Sequence, residues 1–325
     1  MCSSDLLLDA SGRHVKAEDA AATAPLPRKM RVDLIEYLDT PNVEITREGL
    51  MAGFAQAGLM PGRDIDIRRR NAQGDIATLS SIVDTAVTEG SDLLLPSSTP
   101  ALQGTLRRGK DTPIVFALVA NPLVAGAGTT DTEHLPNVTG AYLPAPHEEA
   151  LATLKRVLPG VKRIGSLYTP AEVNSVFYKE RLEAAAKAAG LELMLVGVNT
   201  SGEVPDAALA LCGRGLDVIV QISDNLTGAS FASIAQAATR CKIPLVGLAS
   251  GQAQKGAILT VSRDFYDGGV ESALLAAAVL RGRRPADLPF KLATKIRYIY
   301  NLKAAQRLGL TIPADLLASA DEIIR

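Results

Sequence analysis

Short apolar runs alternate with longer amphipathic stretches along most of this chain. Residues 31–37 (RVDLIEY) are apolar at Val32, Leu34 and Ile35 and stop at the polar turn Leu38-Asp39-Thr40-Pro41, which predicts a first strand. From 45 to 57 apolar side chains recur at helical spacing, Gly58 is placed to end the helix, and 64–70 follows as a strand. The segment 78–89 is amphipathic through Leu79, Ile82, Val83 and Ala86 and leads into the buried run Leu93-Leu94-Leu95. This alternation is the pattern of right-handed crossovers onto a parallel sheet.

The pattern then recurs. Ala57-Gly58-Leu59, residues 92–99 (DLLLPSST) and 113–122 (PIVFALVANP) have counterparts in Ala189-Gly190-Leu191, 217–225 (DVIVQISDN) and 244–251 (PLVGLASG), each roughly 130 residues later. The first unit ends near 138–142 (VTGAY), where Pro144 and Pro146 interrupt the chain before a helix at 148–158. The second opens with a strand at 163–168, a polar turn at 169–175 and an Ala-rich helix at 176–189, and its last clear strand is 245–248. After Gly256 the repeat breaks into a strand at 257–261, a small-residue helix at 265–280, a strand at 295–300 and terminal helices from about Leu302 and Pro313.

The fold class that follows is α/β, with two Rossmann-like lobes facing each other across a central cleft. Lobe 1 is expected to hold 30–142 plus 262–285, and lobe 2 143–261 plus 286–325. Three connections between them form a hinge, and 1–29 is a flexible lead-in. Ligands of open parallel sheets sit outside the carboxyl ends of the strands, so the strand-end loops of both lobes line the cleft.

Composition narrows the function. With 34 basic and 35 acidic residues and 47% hydrophobic content in 325 residues, the chain has material for two cores and no concentrated basic face. Nucleic acid is therefore excluded as a partner, and the runs Arg68-Arg69-Arg70 and Arg281-Gly282-Arg283-Arg284 read as solvated edges. No stretch nears the ~18 apolar residues of a membrane span. The first residues lack the basic start and apolar core of a secretory signal, and Cys2 fits either the first residue of a mature lipoprotein or an ordinary polar tail. Cys212 and Cys241, each just before a predicted strand, are either a disulfide or two free buried thiols.

Polar residues at the strand ends are the candidate binding set. Ser97, Ser98 and Thr99 fall between a strand and a helix, where hydroxyls and free amides hold an anion, although one of them also serves as an ordinary N-cap. Asp224-Asn225 ends the matching strand of the second unit, with Asp224 either pairing with an amine or capping the next helix. Glu172, Asn174 and Ser175 lie in the opening turn of the second unit, opposite Tyr37, Leu38 and Asp39 in that of the first, and Ser250 follows the last strand. Tyr168 and Tyr266 supply ring faces or core. No dinucleotide, P-loop or nucleophile-elbow motif occurs, and His134 and His147 are too few and too loop-bound for a metal site, so no cofactor and no metal are expected.

Four segments carry a family resemblance: Asn71-Ala72-Gln73-Gly74-Asp75, residues 168–175 (YTPAEVNS), Ser223-Asp224-Asn225, and residues 264–269 (DFYDGG). In order and spacing they resemble the ABC-transporter substrate-binding proteins of the tryptophan/tyrosine-type family, which have the periplasmic-binding-protein type I fold. The resemblance implies a periplasmic or otherwise extracytoplasmic receptor, lipid-anchored if Cys2 is modified, that closes over a small solute and delivers it to an ABC permease. In characterised members that solute is an aromatic amino acid. By position, Ser98 and Thr99 would meet the carboxylate, and Glu172, Asn174, Ser175, Asp224 and Asn225 would come from the other lobe. Where the family commonly has Thr-Asp-Pro, this chain has Ala120-Asn121-Pro122, losing a hydroxyl and a charge; removing one partner of a buried polar pair costs about 1–3 kcal/mol. A monomer that is not an enzyme is expected. Two rival readings are a ligand-sensing module acting through a partner protein and a cleft enzyme using Asp224 or Glu172 as base.

Overall fold

The apolar runs are strands covered on both faces, which is why Leu93, Leu94 and Leu95 are all buried. The computed structural model describes residues 6–8, 14–16 and 25–325. Strands β1 (Leu6–Leu8) and β2 (His14–Lys16) pair antiparallel within the segment read as a flexible lead-in; Cys2 lies outside the described residues. The first unit then runs β3 (Met30–Glu36), α1 (Pro41–Gln56), β4 (Ile65–Asn71), α2 (Ile76–Thr88), β5 (Leu93–Ser97), α3 (Thr99–Arg108), β6 (Ile114–Val119) and β7 (Val138–Tyr142). The second runs α4 (His147–Val157), β8 (Arg163–Tyr168), α5 (Val173–Ala188), β9 (Glu192–Gly197), α6 (Val204–Cys212), β10 (Val218–Gln221), α7 (Asn225–Ala229), α8 (Phe231–Cys241) and β11 (Leu245–Gly247). Beyond it come β12 (Leu259–Arg263), α9 (Phe265–Leu280), β13 (Lys291–Leu292), β14 (Ile296–Asn301), α10 (Leu302–Arg307), α11 (Ala314–Ala318) and β15 (Glu322–Ile324).

Two sheets result. The first has the order β13-β7-β6-β5-β3-β4 and is parallel throughout; the second has the order β15-β14-β12-β11-β10-β8-β9, with only the β12–β14 pair antiparallel. The duplication shows in the pairing, since β3 sits between β4 and β5 as β8 sits between β9 and β10. Each sheet has apolar clusters on both faces. On one face of the first sheet, α9 lies against α1 backbone to backbone: a Cβ on Gly49 would stand 2.0 Å from the Tyr266 carbonyl oxygen, and one on Gly269 2.2 Å from that of Thr46.

Three segments cross between the sheets, at 143–146, at Asp264 and at 293–295. Strand β13 pairs with β7, so 286–292 stay with the first sheet rather than passing to lobe 2 as the repeat suggested. A two-residue exposed strand has no apolar pattern to betray it. Helix α1 starts earlier than its periodicity implied, because Thr40 Oγ1 accepts from Val43 N at 3.3 Å and Pro41 occupies the first turn. Helix α5 likewise starts at Val173, placing Asn174 and Ser175 in a helical turn instead of a loop.

The readings of two arginines and of His147 need correction. Arg69 and Arg70 are not merely solvated: Arg69 pairs with Glu36 and Arg70 with Asp33, and both carboxylates are wholly buried. His147 is a buried residue of α4 and not a loop residue, and burial holds its imidazole down at about 3. His134 stacks on Phe290 with ring centroids 4.4 Å apart. Of the two alternatives for Cys212 and Cys241, the structure has free thiols, as one of them expected; burial, then contact with Cys241, pushes Cys212 up to about 12. Among the described residues no helix is long and apolar enough to cross a membrane.

Candidate ligand-binding site

In lobe 1 the cleft is shaped by the ends of β5 and β6. Ser98 Oγ accepts from Ala101 N at 3.3 Å and caps α3, while Thr99 Oγ1 accepts from Ala120 N at 3.4 Å and ties the two strand ends together. The Ser98 and Leu118 backbones have φ of 135° and 53°, conformations that side-chain-bearing residues rarely adopt, and both residues line the cleft.

In lobe 2 a buried polar cluster stands at the end of β10. Asp224 accepts from Ser175 Oγ at 2.6 Å and from Thr227 N at 2.8 Å, capping α7, and Thr227 Oγ1 bonds to it as well. Glu172 accepts from Asn225 N and Leu226 N, each at 3.0 Å, from Asn225 Nδ2 at 2.6 Å and from Asn174 Nδ2 at 3.2 Å. Burial raises the pKa of both acids, and the proximity of Asp224 raises that of Glu172 further. No arginine or lysine forms an ion pair with either acid among the described residues.

Between these clusters lies a cavity whose void is about 640 Å³ counting its solvent-open part. Thr40, Pro41, Asn42, Ser98, Thr99, Leu118 and Ala120 face it from lobe 1, and Asn174, Tyr178, Asp224, Asn225, Phe231, Gln252 and Lys255 from lobe 2, with Leu143 and Phe265 at the hinge. The jaws are shut: Asn42 Nδ2 donates to Ser223 Oγ across the gap at 3.2 Å. A wider gap of about 1660 Å³ flanks this one, walled by α2 and α3 on one side and by the loops before α5 and α6 on the other. The central cavity is the better site because it is the one that the β5, β6 and β10 strand ends enclose.

Of the sequence-predicted residues, Ser98, Thr99, Ala120, Asn174, Asp224 and Asn225 meet at the central cavity. The others do not. Tyr37 and Leu38 face the flanking gap, with Tyr37 Oη donating to the Gly74 carbonyl at 2.6 Å. Asp39 points out to Arg47 and Arg69, and Ser97 is buried within β5. Asn121 Oδ1 caps its own turn by accepting from Leu123 N at 2.8 Å, a role that aspartate fills equally well, so the departure from the family pattern reaches the cavity only as the hydroxyl that Ala120 lacks. The Tyr168 ring lies under Lys179, and Tyr266 is 43% exposed. Glu172 and Ser175 stand behind Asn174 and Asp224 as supports, and Ser250 bonds to Ser262 at 3.0 Å. Sequence reasoning missed Asn42, Tyr178, Phe231, Lys255 and Phe265; only Asn42 had a usable signal, the Thr-Pro start that puts it in the first turn of α1.

The family model for ABC transporter substrate binding proteins matches residues 31–324. The chain belongs to this family. A "Tyrosine-binding protein" of Clostridioides difficile (strain R20291) is 28% identical to this substrate-binding protein over 274 residues, 84% of this chain and 79% of that one. The crystal structure of an ABC domain in complex with L-Trp from Streptococcus pneumonia is 27% identical, covers 91% of this chain and 100% of its own, and superposes with a TM-score of 0.87. A ligand-free, open structure of a substrate binding protein with adhesive properties from Clostridium difficile is 28% identical, covers 91% and 99%, and superposes with a TM-score of 0.70. The lobes of this substrate-binding protein thus match the ligand-bound relative more closely than the open one, in keeping with the cross-cleft Asn42–Ser223 bond.

Proposed function

We propose that this substrate-binding protein works outside the cytoplasmic membrane as the receptor of an ABC importer, closing over an aromatic amino acid and presenting it to the permease. One observation carries the reading: the central cavity sets an acid, Asp224, opposite the capped start of α3 at Ser98 and walls the space between with Tyr178, Phe231 and Phe265. A zwitterion with a ring needs those three elements. The contacts come from both lobes, so they are complete only in the closed form, and ligand binding draws the equilibrium towards closure. The relatives that bind tyrosine or L-Trp support the choice of solute.

Catalysis is not part of this reading. Glu172 has its oxygens occupied by four hydrogen bonds and Asp224 is held by Ser175 and Thr227, so neither is placed as a free base. The receptor acts as a monomer, tethered through Cys2 where that residue is lipidated. Isothermal titration calorimetry across the amino acids should give dissociation constants in the micromolar range or tighter for tyrosine or tryptophan, with no turnover. Absence of binding or thermal stabilisation by every amino acid would overturn the proposal.

A further inference from the structure

Two buried acceptors in the central cavity have no donor. Asn174 gives its Nδ2 to Glu172, and Glu172 is itself fixed by Asn225 and Leu226. The amide is thereby oriented with its oxygen turned the other way, and that oxygen is buried and unpartnered in a side chain that lines the cavity. Across the gap, Asn42 gives its Nδ2 to Ser223 Oγ, which leaves Asn42 Oδ1 in the same condition. Asp224 lines the same space; Thr227 N and Oγ1 both bond to its Oδ1, while its Oδ2 accepts from Ser175 alone and keeps a lone pair. Lys255, the one cation in the cavity wall among the described residues, bonds to neither amide oxygen.

Two acceptors with no donor and a carboxylate with a lone pair to spare match a group that has three donors and no acceptor, which is a primary ammonium. We propose that Asn42 Oδ1, Asn174 Oδ1 and Asp224 together seat the ligand's ammonium group, and that Glu172 is the positioning residue that turns Asn174 towards it. The inference rests on the amino-acid reading above and adds to it a seat shared between lobes. Asn42 belongs to the first turn of α1 and the other two to lobe 2, so an ammonium bridges the jaws and satisfies both orphaned oxygens at once.

Calorimetry with L-tyrosine and L-tryptophan, and with 3-(4-hydroxyphenyl)propanoate and indole-3-propanoate, which lack the amine, tests it. The wild-type protein should bind the amino acids at least about 100-fold more tightly than the deaminated acids. Asn42→Ala and Asn174→Ala should each weaken the amino acids about tenfold and leave the deaminated acids within about threefold. Glu172→Gln should weaken only the amino acids, and should have no further effect once Asn174 is alanine, a coupling that a purely structural role would not give. Thermal unfolding checks each variant, and Asn42→Asp, which keeps an acceptor, should retain binding. Equal affinity for aminated and deaminated probes, or equal loss of both in the alanine variants, overturns the seat and leaves the amino-acid reading standing. If none of the four probes binds, both fall.

Discussion

Apart from Asp264 at a crossing between the lobes, which pairs with Lys295, the buried carboxylates among the described residues fall two to each half of this duplicated molecule, and the halves handle them in opposite ways. In lobe 1, Asp33 and Glu36 on β3 are neutralised by arginines: Glu36 takes Arg47 Nε at 2.9 Å and Arg69 Nε at 2.6 Å, and Asp33 takes Arg70. In lobe 2, Asp224 and Glu172 have hydroxyls and amides but no cation. Burying a charge without a counter-charge is unfavourable, which is why the second pair has raised pKa values and why it is the pair that stands to gain from a cationic ligand. The first pair is internally complete and serves the fold, and the second is the one that the proposed ligand would complete.

Removing charge from each pair sharpens the contrast. Asp224→Asn keeps the cap on α7 but loses the charge facing an ammonium, so affinity for tyrosine or tryptophan should fall about 30- to 1000-fold, as for truncated buried charge pairs, with little change in melting temperature. A binding isotherm that matches wild type would put the amine elsewhere. Glu36→Gln should do the reverse, leaving binding intact while destabilising the protein by about 2–3 kcal/mol in urea unfolding. That is less than a fully buried pair would lose, because Arg47 and Arg69 are partly exposed and screened by water.

The smallest effect is a pH dependence. Because the folded pKa values of Asp224 and Glu172 are raised, their contribution to stability is fully present below the unfolded carboxylate values near about 4 and is lost as pH rises through the folded values. Ligand-free Asp224→Asn escapes its share of that loss. Its stability relative to wild type should therefore grow as pH rises from about 4 and level off once Asp224 is ionised, whereas Glu36→Gln should show no such gain. A difference that stays flat with pH would mean that Asp224 is not penalised by burial.

The strand-end polar residues were legible wherever the local chain alone brings them to the cleft. Ser98 and Asp224 each end a buried strand and cap the helix that follows, so chain direction and capping chemistry suffice to place them. Asp39 and Tyr37 were misjudged because partners distant in sequence claim them: Arg69 comes from β4 to Asp39, and Tyr37 turns to the Gly74 carbonyl. Asn42 and Phe265 became part of the site only when the lobes met, and no periodicity within one element reports on the opposite jaw.

By itself the sequence determined the two α/β units and their repetition, because a parallel sheet covered on both faces must be written as apolar runs separated by amphipathic helices. Tertiary structure alone decided which buried carboxylates find arginines and which have only hydroxyls and amides, and which buried amide oxygens are left without a donor. Those outcomes depend on where side chains far apart in the chain are brought together, and for Asn42 on how closely the two lobes approach.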